Sequence, residues 1–427
     1  MNINQANEAL RRGNYDEKMR LLYPRYDSKP GRYLHRIFSL MSAYLEHFPD
    51  PEDIHLFSAP GRIEVGGNHT DHQHGNVLAA AIDRDMIAAA GLNGLDKIRV
   101  YSIGFGGLEI DLNDLEPHEN EKETTASLIR GVTAQVKKSG FEIKGFDVCI
   151  SSDVPGGSGI SSSAAFEVLY GEVLNGLFCD DKLTPVTIAK IGQYAEQNYF
   201  GKPSGLMDQM ASAVGGFVAI DFKDPANPII RPIPTEELRR DYAIFVIDSG
   251  SAHADLSSVY AEIPNEMRSV AAFFGKEVLR DVDVNEFREH MGEVRKKTGD
   301  RAVLRAIHYF EENERAIEEA NLLQRYDINQ FLRTVTESGL SSTILLQNVI
   351  ISGHTDHQEV AFALCAARYE LHGRGAYRVH GGGFAGTILA FVPADMVDEF
   401  RTRMEKQLFP GACTRMAIRP VGCAQVF

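Results

Sequence analysis

A chain of 427 residues exceeds the roughly 100–200 residues of a typical domain, so two lobes are its natural division. Its 44% hydrophobic and 24% charged residues suit an ordinary globular protein, and a net charge of −15 with no basic run interleaved with aromatics argues against a nucleic-acid partner. Five scattered cysteines without a C-x-x-C pair, a polar N-terminus and no apolar run near the roughly 20 residues of a membrane span point to a reducing cytoplasm and no membrane partner.

Residues 1–50 read as helical, with Leu34, Ile37, Phe38, Met41 and Leu45 on one apolar face. Short strand-like runs follow at 54–58, 63–65, 77–82, 86–90 and 98–101, then a helix over 126–138 and a strand over 146–151. The next stretch, VPGGSGISSSAAFE at 154–167, is a glycine-rich turn opening a helix on which Phe166, Leu169, Val173 and Leu177 share a side. Thr184 and Pro185 cap a further helix carrying Ile188, Ile191, Ala195 and Tyr199, which breaks over 201–205 and restarts over 206–214. Gly215 and Gly216 turn into the strand FVAIDF, and the polar stretch 223–235 is the expected domain boundary. Beyond it come a strand at 243–248, helices over 257–371, strands at 377–380 and 387–392, a helix, and a last strand near Met416. The word HTDHQ occurs at 69–73 and 354–358 with unrelated flanks, which reads as coincidence.

Three segments carry chemistry. In the first, Gly156, Gly157 and Gly159 let backbone N–H groups close on an anion, and Ser161, Ser162 and Ser163 add hydroxyls at a helix start. It is not a Walker loop, since G-x-x-x-x-G-K-[ST] is nowhere in the chain. The second, EQNYFGKPSGLMDQ at 196–209, places Glu196 near one helix end and Asp208 in the first turn of the next, where the helix dipole keeps it ionised. Two such carboxylates can divide labour, one on Mg2+ and one orienting a hydroxyl. The third, GGGFAG at 381–386, satisfies G-x-G-x-x-G but leads into strand-like TILAFV rather than a helix, so it reads as a turn between strands. Upstream, APGRIEVGGNHTDHQHGN at 59–76 sets short polar side chains on tight turns, as recognition of a polyhydroxylated ligand requires. A metal site built from His69, Asp71, His72 and His74 is the competing reading there.

Together, and in this order, the four segments resemble the GHMP family of small-molecule kinases, most closely its galactokinase branch, from about residue 36 to the C-terminus. The resemblance implies an α+β fold of two lobes with the active site in the cleft between them. The N-terminal lobe, 36–222, would be like the second domain of a small-subunit ribosomal protein. The C-terminal lobe, 236–427, would be ferredoxin-like and helical, its last strand returning to the first lobe, with 1–35 as an extension. It further implies ATP-dependent phosphorylation of the anomeric hydroxyl of a hexose, most simply galactose, by a monomer or weak homodimer whose partners are the sugar and ATP. Carried over, Asp208 matches the catalytic aspartate and Arg62 its companion; Ser163 and Glu196 match the Mg2+ ligands. Asn68, His69, Asp71, Gly205 and Tyr260 fall at sugar contacts, and Pro155, Gly156, Gly157, Ser158, Gly159, Ile160, Ser161, Ser162, Ser163 and Ala164 at the ATP loop.

The chain also departs from the pattern. Asn68 stands where the family has glutamate on the carbon-6 hydroxyl, and Asp71–Gln73 resembles plant galacturonate kinases, so a uronic acid is an alternative substrate. Ala252 replaces a frequent arginine and Ala385 a glycine. A sugar sensor that has lost catalysis is the reading from another class; Arg62, Ser163, Glu196 and Asp208 speak against it.

Overall fold

The computed structural model describes residues 1–154, 160–202, 204–234, 236–251 and 256–427. Helices α1 (Ile3–Arg11), α2 (Asp16–Leu22) and α3 (Pro30–His47) come first. Strands β1 (His55–Gly66), β2 (Asn76–Leu92), β3 (Lys97–Ser102) and β4 (Gly106–Asp111) precede α4 (Thr125–Lys138) and β5 (Phe146–Ser152). Helices α5 (Ser162–Phe178), α6 (Pro185–Ala195) and α7 (Met207–Val214) lead to β6 (Phe217–Asp221) and β7 (Ile229–Ile233). The second half holds α8 (Glu236–Asp241), β8 (Tyr242–Asp248), α9 (Ser257–Phe273), α10 (Val284–Thr298), α11 (Asp300–Gln324), α12 (Ile328–Ser341) and α13 (Glu359–Leu371). Then come β9 (Ala376–Val379), β10 (Thr387–Pro393), α14 (Val397–Gln407), β11 (Cys413–Met416) and β12 (Ala424–Gln425).

The strands form two sheets. The eight-stranded one runs β12-β1-β2-β5-β3-β4, with β6 also on β2 and β7 on β6; the four-stranded one runs β11-β8-β10-β9. Strand β12 pairs with Phe57 and Ser58 of β1, so the chain ends where its first strand begins. The two short runs expected at 54–58 and 63–65 are one strand, as are those at 77–82 and 86–90. Register shifts at Pro60/Arg62 and Glu64/Gly66 absorb the Pro-Gly step without breaking the β1–β2 ladder. The polar stretch read as a boundary contains β7, which is held on β6 by the register Ile220 to Ile230.

One face of the large sheet meets α5, α6 and α7 in a cluster that includes Val168, Leu169, Ile188 and Met210 and runs on into Leu322, Leu389 and Phe391 of the second half. The opposite face is covered by the first three helices. Tyr33, Ile37, Leu40, Met41 and Tyr44 recur on one side of α3 and pack with Leu56, Ile87 and Ala89. That layer is pinned by Tyr23 Oη donating to Asp85 at 2.7 Å and by Arg25 Nε donating to Asp83 at 3.0 Å. Among the described residues no helix is long and apolar enough to cross a membrane.

Candidate active site

Arg62 sits in β1 between the two register shifts, which aim its side chain at the start of α7. Its guanidinium forks onto Asp208, Nε to Oδ1 at 2.6 Å and a terminal nitrogen to Oδ2 at 2.8 Å. Ser161 Oγ also donates to Oδ2. Burial pushes the Asp208 carboxyl up, but the Arg62 charge and these hydrogen bonds outweigh it and hold the group below the usual carboxylate range. It stands ionised.

The phosphate-loop positions Pro155, Gly156, Gly157, Ser158 and Gly159 lie outside the described residues, as does Ala252. The end of the loop is described. Ile160 accepts a hydrogen bond from the Arg62 backbone N–H at 3.3 Å, and Ser161 takes a left-handed conformation with φ of 60° before α5 begins. A non-glycine residue in that region is strained, and here the turn delivers the Ser161 hydroxyl to Asp208. Among the described residues no side-chain cap is made by the N-cap Ser161 at the start of α5, which Ser162, Ser163 and Ala164 continue.

Ser163 and Glu196 meet directly, Oγ donating to Oε1 at 3.0 Å. Glu196 is only 2% exposed. Its carboxylate also takes Lys202 Nζ at 2.9 Å and Gln209 Nε2 at 2.9 Å, and Gln209 bridges on to Glu167 at 2.9 Å. Sequence reasoning did not single out Lys202, Gln209 or Glu167 as functional. The available signal was proximity: they lie in or beside the segments already marked.

The polar turn at 67–76 is built by close approach. A side chain at Gly205 would overlap the Asp71 carboxylate, so any larger residue there must push that carboxylate aside. Burial, then the nearby Asp208 charge, pushes Asp71 up to about 6. His69 Nε2 lies 3.1 Å from the Gly382 carbonyl, which only accepts, so this nitrogen carries the proton. His69 Nδ1 therefore accepts from His72 Nε2 at 3.3 Å, and His72 Nδ1 from Gln73 at 3.3 Å. Burial holds His69 down to about 4 and His72 well below its ordinary value, so both rings are neutral. Their nitrogens are spent on one another and on the third glycine segment. Among the described residues no group of three or more His, Cys, Asp or Glu side chains is arranged to hold a metal, which removes the histidine-cluster reading.

Tyr260, on α9, packs on the same glycine segment. Its hydroxyl donates to the Gly383 carbonyl at 2.9 Å, and its ring fills the space a Gly382 side chain would need.

Asn68, expected at a sugar contact, is fully buried, and its amide is engaged within the protein. Nδ2 donates to Glu64 at 2.7 Å and to the Gly381 carbonyl at 2.8 Å, while Oδ1 accepts from Ser342 at 3.1 Å and Asn348 at 2.9 Å. Glu64 in turn pairs with buried Arg378 at 2.9 Å. An amide has two donors and two acceptor positions, and all are occupied.

Comparison with known proteins places this geometry. Residues 42–92 match the galactokinase galactose-binding signature and residues 127–216 the GHMP kinases N-terminal domain. A galactokinase from Actinobacillus pleuropneumoniae serotype 3 is 32% identical over 345 residues, covering 80% of this chain and 86% of that one. A galactokinase from Glaesserella parasuis is 31% identical over 353 residues, with the same 80% and 86% coverage. The crystal structure of Lactococcus lactis galactokinase with galactose superposes with a TM-score of 0.79 at 25% identity, over 91% of this chain and 99% of that one. Methanococcus jannaschii mevalonate kinase shares the fold, with a TM-score of 0.60 at 16% identity over 86% of this chain and 99% of that one. By sequence identity, coverage and architecture alike, the chain belongs to the galactokinase family of GHMP kinases.

Proposed function

We propose that this kinase transfers the terminal phosphoryl group of ATP to the C1 hydroxyl of galactose, with Mg2+ on the triphosphate. One relationship supports the reading above the others. The carboxylate gripped by Arg62 is also hydrogen-bonded by Ser161, the residue that opens the phosphate-loop helix. A group suited to orient an attacking hydroxyl thus stands beside a phosphate cradle.

In the transfer, the sugar oxygen bonds to the terminal phosphorus, the bond from that phosphorus to its bridging oxygen breaks, and ADP leaves with the electron pair. Asp208, held below the carboxylate range, is a weak base. It orients the hydroxyl and takes its proton as the new bond forms, which a loose phosphoryl transition state permits. Arg62 offsets the negative charge gathering around that oxygen. The uncapped first turn of α5 offers backbone N–H groups to the phosphates. Asp71, placed against Gly205, is the proposed acceptor for sugar hydroxyls, and the His69–His72 pair and Tyr260 fix the loops around it.

The hydroxyl of Ser163 and carboxylate of Glu196 are hard oxygen donors, and a lysine ammonium already rests on that carboxylate, so the residues fit a cation. Mg2+ ordinarily takes one or two protein carboxylates and completes its sphere with phosphate and water. When bound, it neutralises the β- and γ-phosphate oxygens. The Asn68 amide has no free position, which leaves the uronic-acid alternative resting on the Asp71–Gln73 resemblance.

The test is ADP release across galactose, galacturonate and other hexoses, with the phosphorylated carbon identified by NMR. Galactose 1-phosphate as the favoured product is expected. A tenfold preference for another sugar, about 1.4 kcal/mol in transition-state terms, or phosphate on another carbon, overturns the reading.

A further inference from the structure

Glu196 is buried, and a buried carboxylate needs a countercharge. Lys202 supplies it from the Gly201–Gly205 bend. Its Nζ and the Ser163 hydroxyl converge on the same atom, Glu196 Oε1, at 2.9 and 3.0 Å. The lysine side chain is 56% exposed, so its flexible four-carbon stem is free of the core while its head reaches into the site. Arg62, by contrast, is 7% exposed and locked on Asp208 by two hydrogen bonds. Among the described residues of the site, Arg62 is thus the enclosed cation and Lys202 the exposed one.

We propose that Lys202 is a tethered cation of the phosphoryl-transfer site, neutralising Glu196 while no divalent ion is held there and turning onto the terminal phosphate when MgATP arrives. The inference rests on the kinase reading above and extends it to a residue with no role so far. A divalent ion on Glu196 Oε1 and Ser163 Oγ competes with the ammonium for one oxygen, and like charges at such short range repel strongly. Displaced, the ammonium finds Asp208 already paired with Arg62. The anion newly brought to that side of the site is the triphosphate, seated on the helix that Ser161 opens. Lysine is well suited to this exchange because it acts as a point charge rather than through a fixed fork.

Two outcomes follow for Lys202→Gln in the full chain, and one for Lys202→Arg. Calorimetric affinity for MgATP falls roughly tenfold or more, the scale expected for loss of a charge-assisted contact. Mn2+ binds the nucleotide-free variant more tightly than the wild type, read by electron paramagnetic resonance, because its carboxylate is no longer taken. Lys202→Arg, which keeps the charge, restores the MgATP affinity at least in part. Equal MgATP affinities for wild type and Lys202→Gln, with Mn2+ affinity unmoved, overturn the proposal. Wild-type protein that binds ATP neither in EDTA nor in Mg2+ instead refutes the kinase reading.

Discussion

Arg62 and Asp208, 146 positions apart in sequence, meet through paired hydrogen bonds of 2.6 and 2.8 Å. Fixing both ends of a planar fork specifies distance and rotation together, so the carboxylate plane is set before any substrate binds. The first turn of α7 supplies the aspartate and a shifted register in β1 supplies the arginine.

Asp208→Asn is expected to lower kcat by about 10²–10⁴, the range for loss of a positioned proton acceptor. ATP affinity should stay within a few-fold, because the phosphate cradle is untouched. Steady-state rates together with calorimetry separate the two; a variant that phosphorylates galactose at near-normal rate removes Asp208 from the mechanism.

Much of this pair was legible in the chain. Asp208 stood in a helix first turn after a glycine-proline bend, and Arg62 after a Pro-Gly step, so both residue types were already tied to their local geometry. Their contact was not, since it depends on how β1 is aimed, and register shifts leave no strong mark on a short apolar run. The same limit applies to Asn68. Whether an amide meets a ligand or closes on Glu64, Gly381, Ser342 and Asn348 is decided by segments up to 313 residues away. Lys202 escaped because an exposed lysine in a bend is ordinary until the buried Glu196 is seen beneath it.

Gly205→Ala should raise KM for galactose by about tenfold or more while leaving ATP affinity alone, since the added methyl overlaps the Asp71 carboxylate and displaces it. The KM and kcat of the variant, set against its thermal midpoint, decide the matter. An unchanged KM would mean that Asp71 does not meet the sugar.

The pH profile follows from Asp71, pushed up to about 6. The ionised form is the hydroxyl acceptor, so kcat/KM for galactose should be full above that value. Below it, activity falls about tenfold per pH unit, one proton being taken up. Asp208, held low, titrates further down and does not contribute to this limb. In Asp71→Asn, a much weaker enzyme, the limb near 6 should vanish; its persistence would assign the titration to another group.

The N-terminal layer should prove part of the fold rather than an appendage. Deleting residues 1–35 strips Ile3, Leu10, Met19, Leu22, Tyr23 and Tyr33 from the buried cluster that α3 shares with the sheet, and aggregated protein is expected. Tyr23→Phe, which removes the hydrogen bond to buried Asp85, should cost about 1.5–3 kcal/mol in urea unfolding. A soluble truncation with an unchanged midpoint would contradict this.

Strand β12 lies against Phe57 and Ser58, a few residues before Arg62, and buried Arg419 reaches back to the Ser58 hydroxyl at 2.6 Å. During synthesis, the polypeptide that carries the arginine leaves the ribosome long before its outer neighbour exists. That edge must wait unpaired until residues 424–425 have been made, a template for wrong partners in the interval. A prematurely terminated product would thus be released with the margin of its reaction chamber still open.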